Sequence, residues 1–393
     1  MKRLRLALVV LVVLLLGGVL FLWIDFTWQR KAFHAYVAEL GINEEDWRPR
    51  AAPAADNAFP LVEAIVADLE EAGLGNVPWE WDLDREGNPE PGEWPAIESW
   101  VEAVRPYLVR LRAASNLPGY ADTQPRQTVM ERAFEPFGHL VTLERLVQWS
   151  CRVAEREQQR AEASVGDVAM LLRLVAQADW GGMHMVSIGS QVAAVACDQI
   201  PRLARMEAFD AADARRQLDP WIVTLLDPQR FPDRLRSKQL VTIAAVWWHE
   251  TGTSSEEGAD PPEPLNLWGG GFFYREARFI LEDLEGVRQR IREVGLRSSI
   301  PEMALRSEAD ELMVRMSAED HHHTVGRLRL ARILLALHAH RQARGAFPES
   351  LSELAPLFPD GIPLDPATEK PFSYERGVKI GAAGDPRTDM SLR

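Results

Sequence analysis

The pattern of apolar and polar positions changes near residue 25 and again near residue 250. Leu6 to Ile24 is an unbroken run of apolar residues and glycine. A helix of that length spans about 30 Å, the hydrocarbon thickness of a bilayer. From Asn57 to about His249 the apolar positions recur mainly every three or four residues, which indicates amphipathic helices. The same period resumes at 273–294. The pattern predicts a mainly α-helical protein with an N-terminal transmembrane helix and a multi-helix body.

The N-terminal run is typical of an uncleaved membrane anchor. A cleaved signal peptide would have a shorter apolar region and a small-residue cleavage site, and the run has neither. Trp23, Phe26 and Trp28 suit the membrane–water interface. Basic residues lie at positions 2, 3 and 5 before the run, although Arg30 and Lys31 follow it. We expect a single-pass protein of the bacterial inner membrane, with its N-terminus in the cytoplasm and its body in the periplasm.

Capping and turn residues predict where the helices of the body begin. Asp167 follows Gly166 and is predicted to cap a helix whose buried stripe starts at Val168. Asp219-Pro220 and Asp227-Pro228 repeat one signal, an aspartate cap with proline at the first helical position. Segments rich in Gly, Pro and acidic residues interrupt the pattern at 73–95 and 251–271, and they predict loops.

These boundaries divide the chain into five predicted parts. They are a transmembrane anchor at 1–30, a helical body at 31–250, a loop or linker at 251–272, a helical segment at 273–345 and a small α+β module at 346–393.

Cys151 and Cys197 are the only two cysteines. Two thiols exclude a disulfide scaffold and a four-cysteine zinc site. Both residues lie on predicted helices, where two buried free thiols are favoured over one disulfide between neighbouring helices.

The histidines are the first candidates for a metal-binding or catalytic site. His321, His322 and His323 are consecutive, so on a helix their side chains fan out by about 100° per residue and do not meet at one metal ion. If their helix is continuous, His338 lies about 25 Å from His321. A metal site at this cluster therefore needs further ligands such as Glu319 or Asp320.

Two other features leave different functions open. His249-Glu250 lacks the second histidine that a zinc protease motif requires, yet it keeps a periplasmic metal-dependent hydrolase as an alternative. A loop with Trp79 and Trp81, close to Trp94, keeps a small-ligand sensor as another alternative. The interpretation favoured for these tryptophans is a loop pinned to the body.

The C-terminal segment carries an ordered set of motifs. A helix ends at Arg344-Gly345 and is followed by Phe347-Pro348. Ser350 and Glu353 have capping-box spacing, which predicts a short helix. Asp365-Pro366 and Lys370-Pro371 are turn formers, and a hairpin is predicted from 372–374 and 378–380 with its turn at Arg376-Gly377.

This order resembles the C-terminal part of type II secretion pseudopilins, and the resemblance covers about Arg327 to Tyr374. It is closer still to the tails of uncharacterised membrane-anchored bacterial proteins, especially planctomycete-like ones. In pseudopilins the final loop binds calcium, and Asp385 and Asp389 occupy that place here. Two aspartates are fewer than such sites gather, so an ordinary polar tail and no cofactor are favoured, with calcium as the alternative.

The chain also departs from pilin subunits and from nucleic-acid-binding proteins. Arg5 directly precedes the apolar run, where a prepilin has its glycine cleavage site, and no acidic residue occurs before Asp25. A net charge of −14 disfavours nucleic acid as a partner. With no assembled catalytic motif, the sequence favours a membrane-anchored periplasmic binding or scaffold protein, without enzymatic activity, that has a protein partner in secretion or envelope assembly.

Overall fold

The computed structural model describes residues 2–42, 54–75, 89–120, 129–178, 183–230, 235–236, 239, 242–243, 246, 270–294, 308–382 and 390–392. Inside these ranges the side chains of 2–13, 15, 54, 129–137, 183–187, 270–271, 293–294, 308–313, 317 and 391 are not described. The described part is mainly helical, as predicted. Its α-helices are α1 (Lys2–Glu39), α2 (Phe59–Glu71), α3 (Trp94–Ala114), α4 (Val129–Glu157), α5 (Ala161–Gln177), α6 (Met183–Asp198), α7 (Ile200–Ala204), α8 (Ala211–Leu225), α9 (Gly270–Val294) and α10 (Glu308–Arg344).

A large apolar core joins α2 to α8 with the C-terminal half of α10. The amphipathic period places one buried stripe on each helix, and α5 is buried on most of its circumference between α4, α6 and α8. Residues 328–337 of α10 pack mainly against α6 and α8. Cys151 on α4 and Cys197 on α6 are both fully buried and free.

A second, smaller core joins the C-terminal half of α1 to α9. Phe33 is 1% exposed and packs with Tyr274, whose ring also meets Phe26 edge-on at 5.5 Å between centroids. Ile243 and Val246 belong to the same cluster. The predicted face of 273–294 is confirmed with a small shift, because the buried positions are Tyr274, Ala277, Leu281, Leu284, Val287 and Ile291.

The predicted anchor lies at the start of α1. Residues 6–13 of that segment lie outside the described side chains. Among the side chains that are described, no helix combines the length and the apolar character needed to cross a membrane.

Two predicted helix starts are wrong. Asp167 lies inside α5, which begins at Ala161, and its side chain is buried instead of capping a helix end. Pro220 lies inside α8, whose N-cap is Asp210, since its carboxylate accepts hydrogen bonds from the amides of Ala212 and Asp213. In both cases the buried stripe extends further towards the N-terminus than the local signal suggests. Asp227 does accept a hydrogen bond from the amide of Gln229, as a cap would.

The C-terminal segment forms a 3-10 helix (Leu351–Leu357) and a three-stranded antiparallel sheet of β1 (Ser373–Glu375), β2 (Lys379–Gly381) and β3 (Met390–Ser391). The predicted hairpin is confirmed, with Tyr374 opposite Ile380. The Tyr374 hydroxyl donates to the Pro348 carbonyl at 2.9 Å, which ties the sheet to the segment after α10. The module's buried apolar side chains belong to the large core, and they are Leu354, Phe358, Phe372, Ile380, Met390 and Leu392.

Candidate functional site

A polar cavity of about 390 Å³ lies between the C-terminal end of α3, one face of α5 and α8. Its volume falls near the lower end of the roughly 300 to 1,000 Å³ found for ligand pockets. Two guanidinium groups, three amide or hydroxyl side chains and one carboxylate line it, together with small and apolar residues. The lining residues are Arg112, Ser115, Asn116, Glu162, Ala163, Gly166, Ala169, Met170, Arg173 and Gln217.

Arg112 connects the cavity to a carboxylate inside the core. Its Nε lies 3.1 Å from Oδ1 of Asp167, which is within ion-pair distance although the N–H does not point along a hydrogen bond. Its Nη1 donates to the Ala163 carbonyl at 3.4 Å. The other carboxylate oxygen of Asp167 accepts a hydrogen bond from the Ser150 hydroxyl at 3.4 Å. The guanidinium of Arg112 is therefore held against α5 by two contacts, one with Asp167 and one with the Ala163 carbonyl.

Burial controls the protonation of Asp167. The side chain is 4% exposed, and desolvation raises the pKa of this carboxyl from 3.8 to about 7, although Arg112 and the Ser150 hydroxyl both act to lower it. The neighbouring thiol of Cys151 is fully buried, and its pKa is raised well above its usual value by burial and then by the Asp167 charge. Such a thiol stays protonated, so it is a packing residue and not a nucleophile.

Arg173 supplies the second guanidinium of the cavity. It donates a hydrogen bond to the side-chain oxygen of Asn116, and its guanidinium carbon lies 4.8 Å from the centre of the Trp221 ring. Burial lowers the pKa of this group from its usual value. Its buried Nε has no hydrogen-bond partner within the described part of the chain. The described contacts of Arg173 therefore satisfy its guanidinium only in part.

Gly166 lets Arg112 lie close to α5. A Cβ at this position would stand 3.3 Å from both Cδ and Nη1 of Arg112, which is tighter than an ordinary contact. Ala169 and Met170 follow on the same helix and are almost fully buried. On α5 the cavity is thus lined by small and apolar residues that lie between Glu162 and Arg173.

The histidine cluster is held apart by its helix. His321 is buried, His322 is partly buried and His323 is exposed, as expected for three consecutive positions of α10. Burial lowers the pKa of His322. In the residues that the structure describes, no group of three or more His, Cys, Asp or Glu is arranged to hold a metal ion.

Several predicted site residues cannot be placed. Asp385 and Asp389, the calcium candidates, lie outside the described residues, as do His249, Glu250, Trp79 and Trp81. Trp94 is described as the first residue of α3, where the guanidinium carbon of Arg156 lies 4.6 Å from its ring centre.

His338 is the most deeply buried histidine of α10. It is 2% exposed, and its ring stands edge-on to Phe209 and Phe347, with centroids 6.3 Å and 5.4 Å away. Neither ring nitrogen has a hydrogen-bond partner among the described residues. Burial, and then the charge of Arg341, lowers the pKa of His338 from 6.5 to about 4. It is a neutral core residue that joins α10 to the Phe347-Pro348 motif.

Sequence reasoning missed the cavity because its residues come from three helices. Arg112, Asn116 and Arg173 were not singled out, and Asp167 was given another role. One signal was available for Asp167, because it lies three, four and seven positions from Ser164, Leu171 and Leu174, all of them buried. No protein-family model matches the chain, and no curated protein or solved structure shows significant similarity to it.

Proposed function

We propose that this chain is a single-pass protein of the bacterial inner membrane whose helical body binds or scaffolds a protein partner in the periplasm, in secretion or envelope assembly. The observation that carries the proposal is the surface of α1. Large apolar side chains lie exposed along residues 14–28 of α1, and such a helix surface is typical of burial in a protein interface or in lipid. The exposed residues are Leu14, Leu16, Val19, Leu20, Phe21, Trp23, Ile24 and Trp28.

The position of α9 supports the same arrangement. Tyr274 near its start packs on Phe26 and Phe33 of α1, so this end of α9 lies beside the residues that follow the apolar run. Phe272 at this end is 58% exposed, and Arg275 lies over its ring at 5.4 Å. Aromatic and arginine side chains together are typical of a membrane–water interface.

The C-terminal module supports a role in binding rather than in catalysis. Its motif order resembles that of pseudopilins, and its short helix and sheet rest on the body through contacts of Arg215 and Arg332. The guanidinium carbons of these arginines lie 5.4 Å and 5.5 Å from the ring centre of Phe358. The opposite side of the sheet carries exposed residues, Ser373 and Glu375 among them. We propose this outer side as the surface for the envelope partner.

Membrane extraction tests the anchor. Wild-type protein is expected to stay in the membrane pellet after alkaline carbonate extraction, while the double variant Leu14→Arg/Leu16→Arg is lost from it. Each arginine near the centre of a span costs about 2.5–3.5 kcal/mol on insertion scales. Leu61→Arg is the matched control, because Leu61 is 50% exposed on α2 of the body and its replacement leaves α1 unchanged. Release of the wild-type protein by carbonate would contradict the anchor.

Crosslinking in intact cells tests the partner. Affinity purification of well-expressed full-length protein is expected to recover one envelope protein above background. Glu375→Arg reverses a charge on the exposed side of β1 and should reduce that recovery, whereas Glu71→Arg, at the exposed end of α2, should not. Equal recovery with both variants would argue against the module as the binding surface.

The cavity favours a second candidate function, a small-ligand sensor. Its two arginines, set among three amide or hydroxyl side chains, are the specific observation in support. Quenching of Trp221 fluorescence on ligand addition would be its sign, since Arg173 stacks on that ring.

A further inference from the structure

We propose that the cavity between α3, α5 and α8 binds a small organic monocarboxylate, with its carboxylate at Arg173 and Asn116 and its apolar part against Ala169 and Met170. This proposal rests on the function in binding proposed above. It adds a small-molecule ligand of defined chemistry to a protein whose proposed role is otherwise to bind a protein partner.

The donors of the cavity favour an anion. Arg173 donates from Nη1 to Asn116, and since its Nε is buried, the other N–H groups of its terminal nitrogens are the donors that a ligand would use. A guanidinium presents several N–H groups in one plane and matches a carboxylate with two parallel hydrogen bonds. Desolvation of Arg173 also makes an added negative charge more favourable than it would be in water.

The charge of the lining favours a single negative charge on the ligand. Arg112 and Arg173 contribute two positive charges, and Glu162 contributes one negative charge. Asp167 does not line the cavity, but its pairing with Arg112 draws that cation towards the core. One carboxylate therefore balances the cavity, whereas a phosphate dianion leaves an excess of negative charge.

The walls favour an apolar body on the ligand. Ala163, Gly166, Ala169 and Met170 line the α5 side of the cavity between Glu162 and Arg173, and they offer no side-chain hydrogen bond. Gln217 on α8 donates to Asp213 at 2.7 Å and leaves its side-chain oxygen as an acceptor for a ligand N–H or O–H. A short aliphatic or aromatic acid fits these surfaces and the volume of about 390 Å³.

Calorimetry on the full-length protein in detergent tests the proposal. The probes are acetate, isovalerate, benzoate and indole-3-acetate, with benzamide as the uncharged match for benzoate and phenyl phosphate as the dianion match. At least one monocarboxylate is expected to bind saturably, at least about tenfold tighter than its uncharged match, because charge-assisted hydrogen bonds are lost in the amide. Tighter binding of phenyl phosphate than of every monocarboxylate would overturn the choice of ligand.

Two variants test whether the monocarboxylate binds in the cavity or at another arginine on the surface. Arg173→Gln should weaken binding of the best monocarboxylate at least about tenfold, because the charge is removed and the hydrogen-bond donors are reduced. Arg216→Gln is the control, since Arg216 is 71% exposed on α8 and pairs with Asp213 outside the cavity lining. Unchanged affinity in Arg173→Gln, or no saturable binding of any monocarboxylate to wild-type protein, would overturn the proposal.

A second variant is needed because Arg173→Gln could lose affinity through damage to the fold. Gly166→Ala keeps every charge but forces Arg112 to move by a few tenths of an ångström, and it should change affinity while the thermal unfolding temperature stays within a few degrees. Loss of the anchor would appear in carbonate extraction and loss of the ligand site in calorimetry, so the two proposals fail separately.

Discussion

At the scale of single residues, the chain keeps two ionisable groups in its core that respond to pH in opposite directions. Asp167 has a pKa of about 7 instead of 3.8, so the folded state holds its proton more tightly than the unfolded chain does. Stability that depends on Asp167 is therefore greatest below pH 4 and falls as the pH rises to 7. A pKa shift of about three units corresponds to a loss of about 4 kcal/mol in the free energy of unfolding.

The variant Asp167→Asn removes this titration. We expect it to be as stable as the wild-type protein near pH 4 and more stable at pH 8, by up to about 4 kcal/mol. Urea unfolding at the two pH values measures the difference. Asp68→Asn is the control, because Asp68 is half exposed in a surface pair with Arg110 and should change stability by less than about 0.5 kcal/mol. A pH slope equal to that of the wild-type protein would contradict the buried proton.

His338 gives the opposite slope. Its pKa of about 4 in the folded state, against the ordinary 6.5, means that the unfolded chain binds a proton first as the pH falls. Stability from the neutral ring is complete above pH 6.5 and decreases by about 3 kcal/mol as the pH falls to 4. Burial and Arg341 are the causes.

His338→Leu tests this slope. At pH 7 the variant should be at least as stable as the wild-type protein, because neither ring nitrogen has a hydrogen bond to lose among the described residues. Between pH 6.5 and 4 its free energy of unfolding, measured with urea, should fall by about 3 kcal/mol less than that of the wild-type protein. His323→Gln, at an exposed position of the same helix, should follow the wild-type curve. In the wild-type protein the slopes of Asp167 and His338 largely cancel.

For single residues, prediction from the sequence succeeded where the periodicity of one helix is enough to show that a side chain is buried. Free, buried Cys151 and Cys197 follow from their helical stripes, and the structure confirms them. The placement of Asp167 failed because glycine at 166 suggests a boundary, whereas its missing Cβ serves the approach of Arg112 from another helix. A contact between helices has no signature in the local sequence.

At the scale of elements, the joining of α1 to α9 depends on a few side chains. Phe33 is 1% exposed in the second core, so Phe33→Ala should cost about 3–5 kcal/mol and loosen this pair of helices. Hydrogen exchange of α9 amides in full-length protein measures the loosening. Phe272→Ala should have little effect on exchange, because Phe272 is 58% exposed. Equal protection of α9 in the wild-type protein and Phe33→Ala would contradict this role.

Prediction of the elements was good for type and weaker for boundaries. Pro220 suggests a helix start, but the buried positions of α8 run back through Leu218, Ala214 and Ala211, and Asp210 provides the cap. Packing of five buried positions outweighs the local proline signal. Within the predicted helical segment at 273–345, residues 308–344 form one continuous helix, α10.

At the scale of the whole molecule, the C-terminal module shares its core with the body. Removal of 346–393 would expose the apolar surfaces that Leu354, Phe358, Phe372 and Ile380 cover. We expect the truncated protein to unfold at clearly lower urea concentration than the full chain and to be cut rapidly by protease within the body. Leu364→Ala is the control, since Leu364 is 41% exposed. Unchanged unfolding after truncation would show an independent module.

The arrangement of the whole molecule is the level that the sequence predicts least. Periodicity indicates which face of each helix is buried, but not that α10 packs against α6 and α8, or that Phe33 meets Tyr274 far along the chain. Such pairings depend on shape matching between faces that are similarly apolar. The cavity exists only after α3, α5 and α8 have come together.

The unbroken course of α1 from Lys2 to Glu39 has a mechanical consequence. Its 38 residues extend about 57 Å, and Phe33 fixes the far end to α9. A helix without a proline or a loop transmits rotation along its axis, so a change in the tilt of its first half reorients everything packed on its second half. Any change in that tilt would therefore be passed first to α9 and to Ile243 and Val246, which pack with the second half of α1.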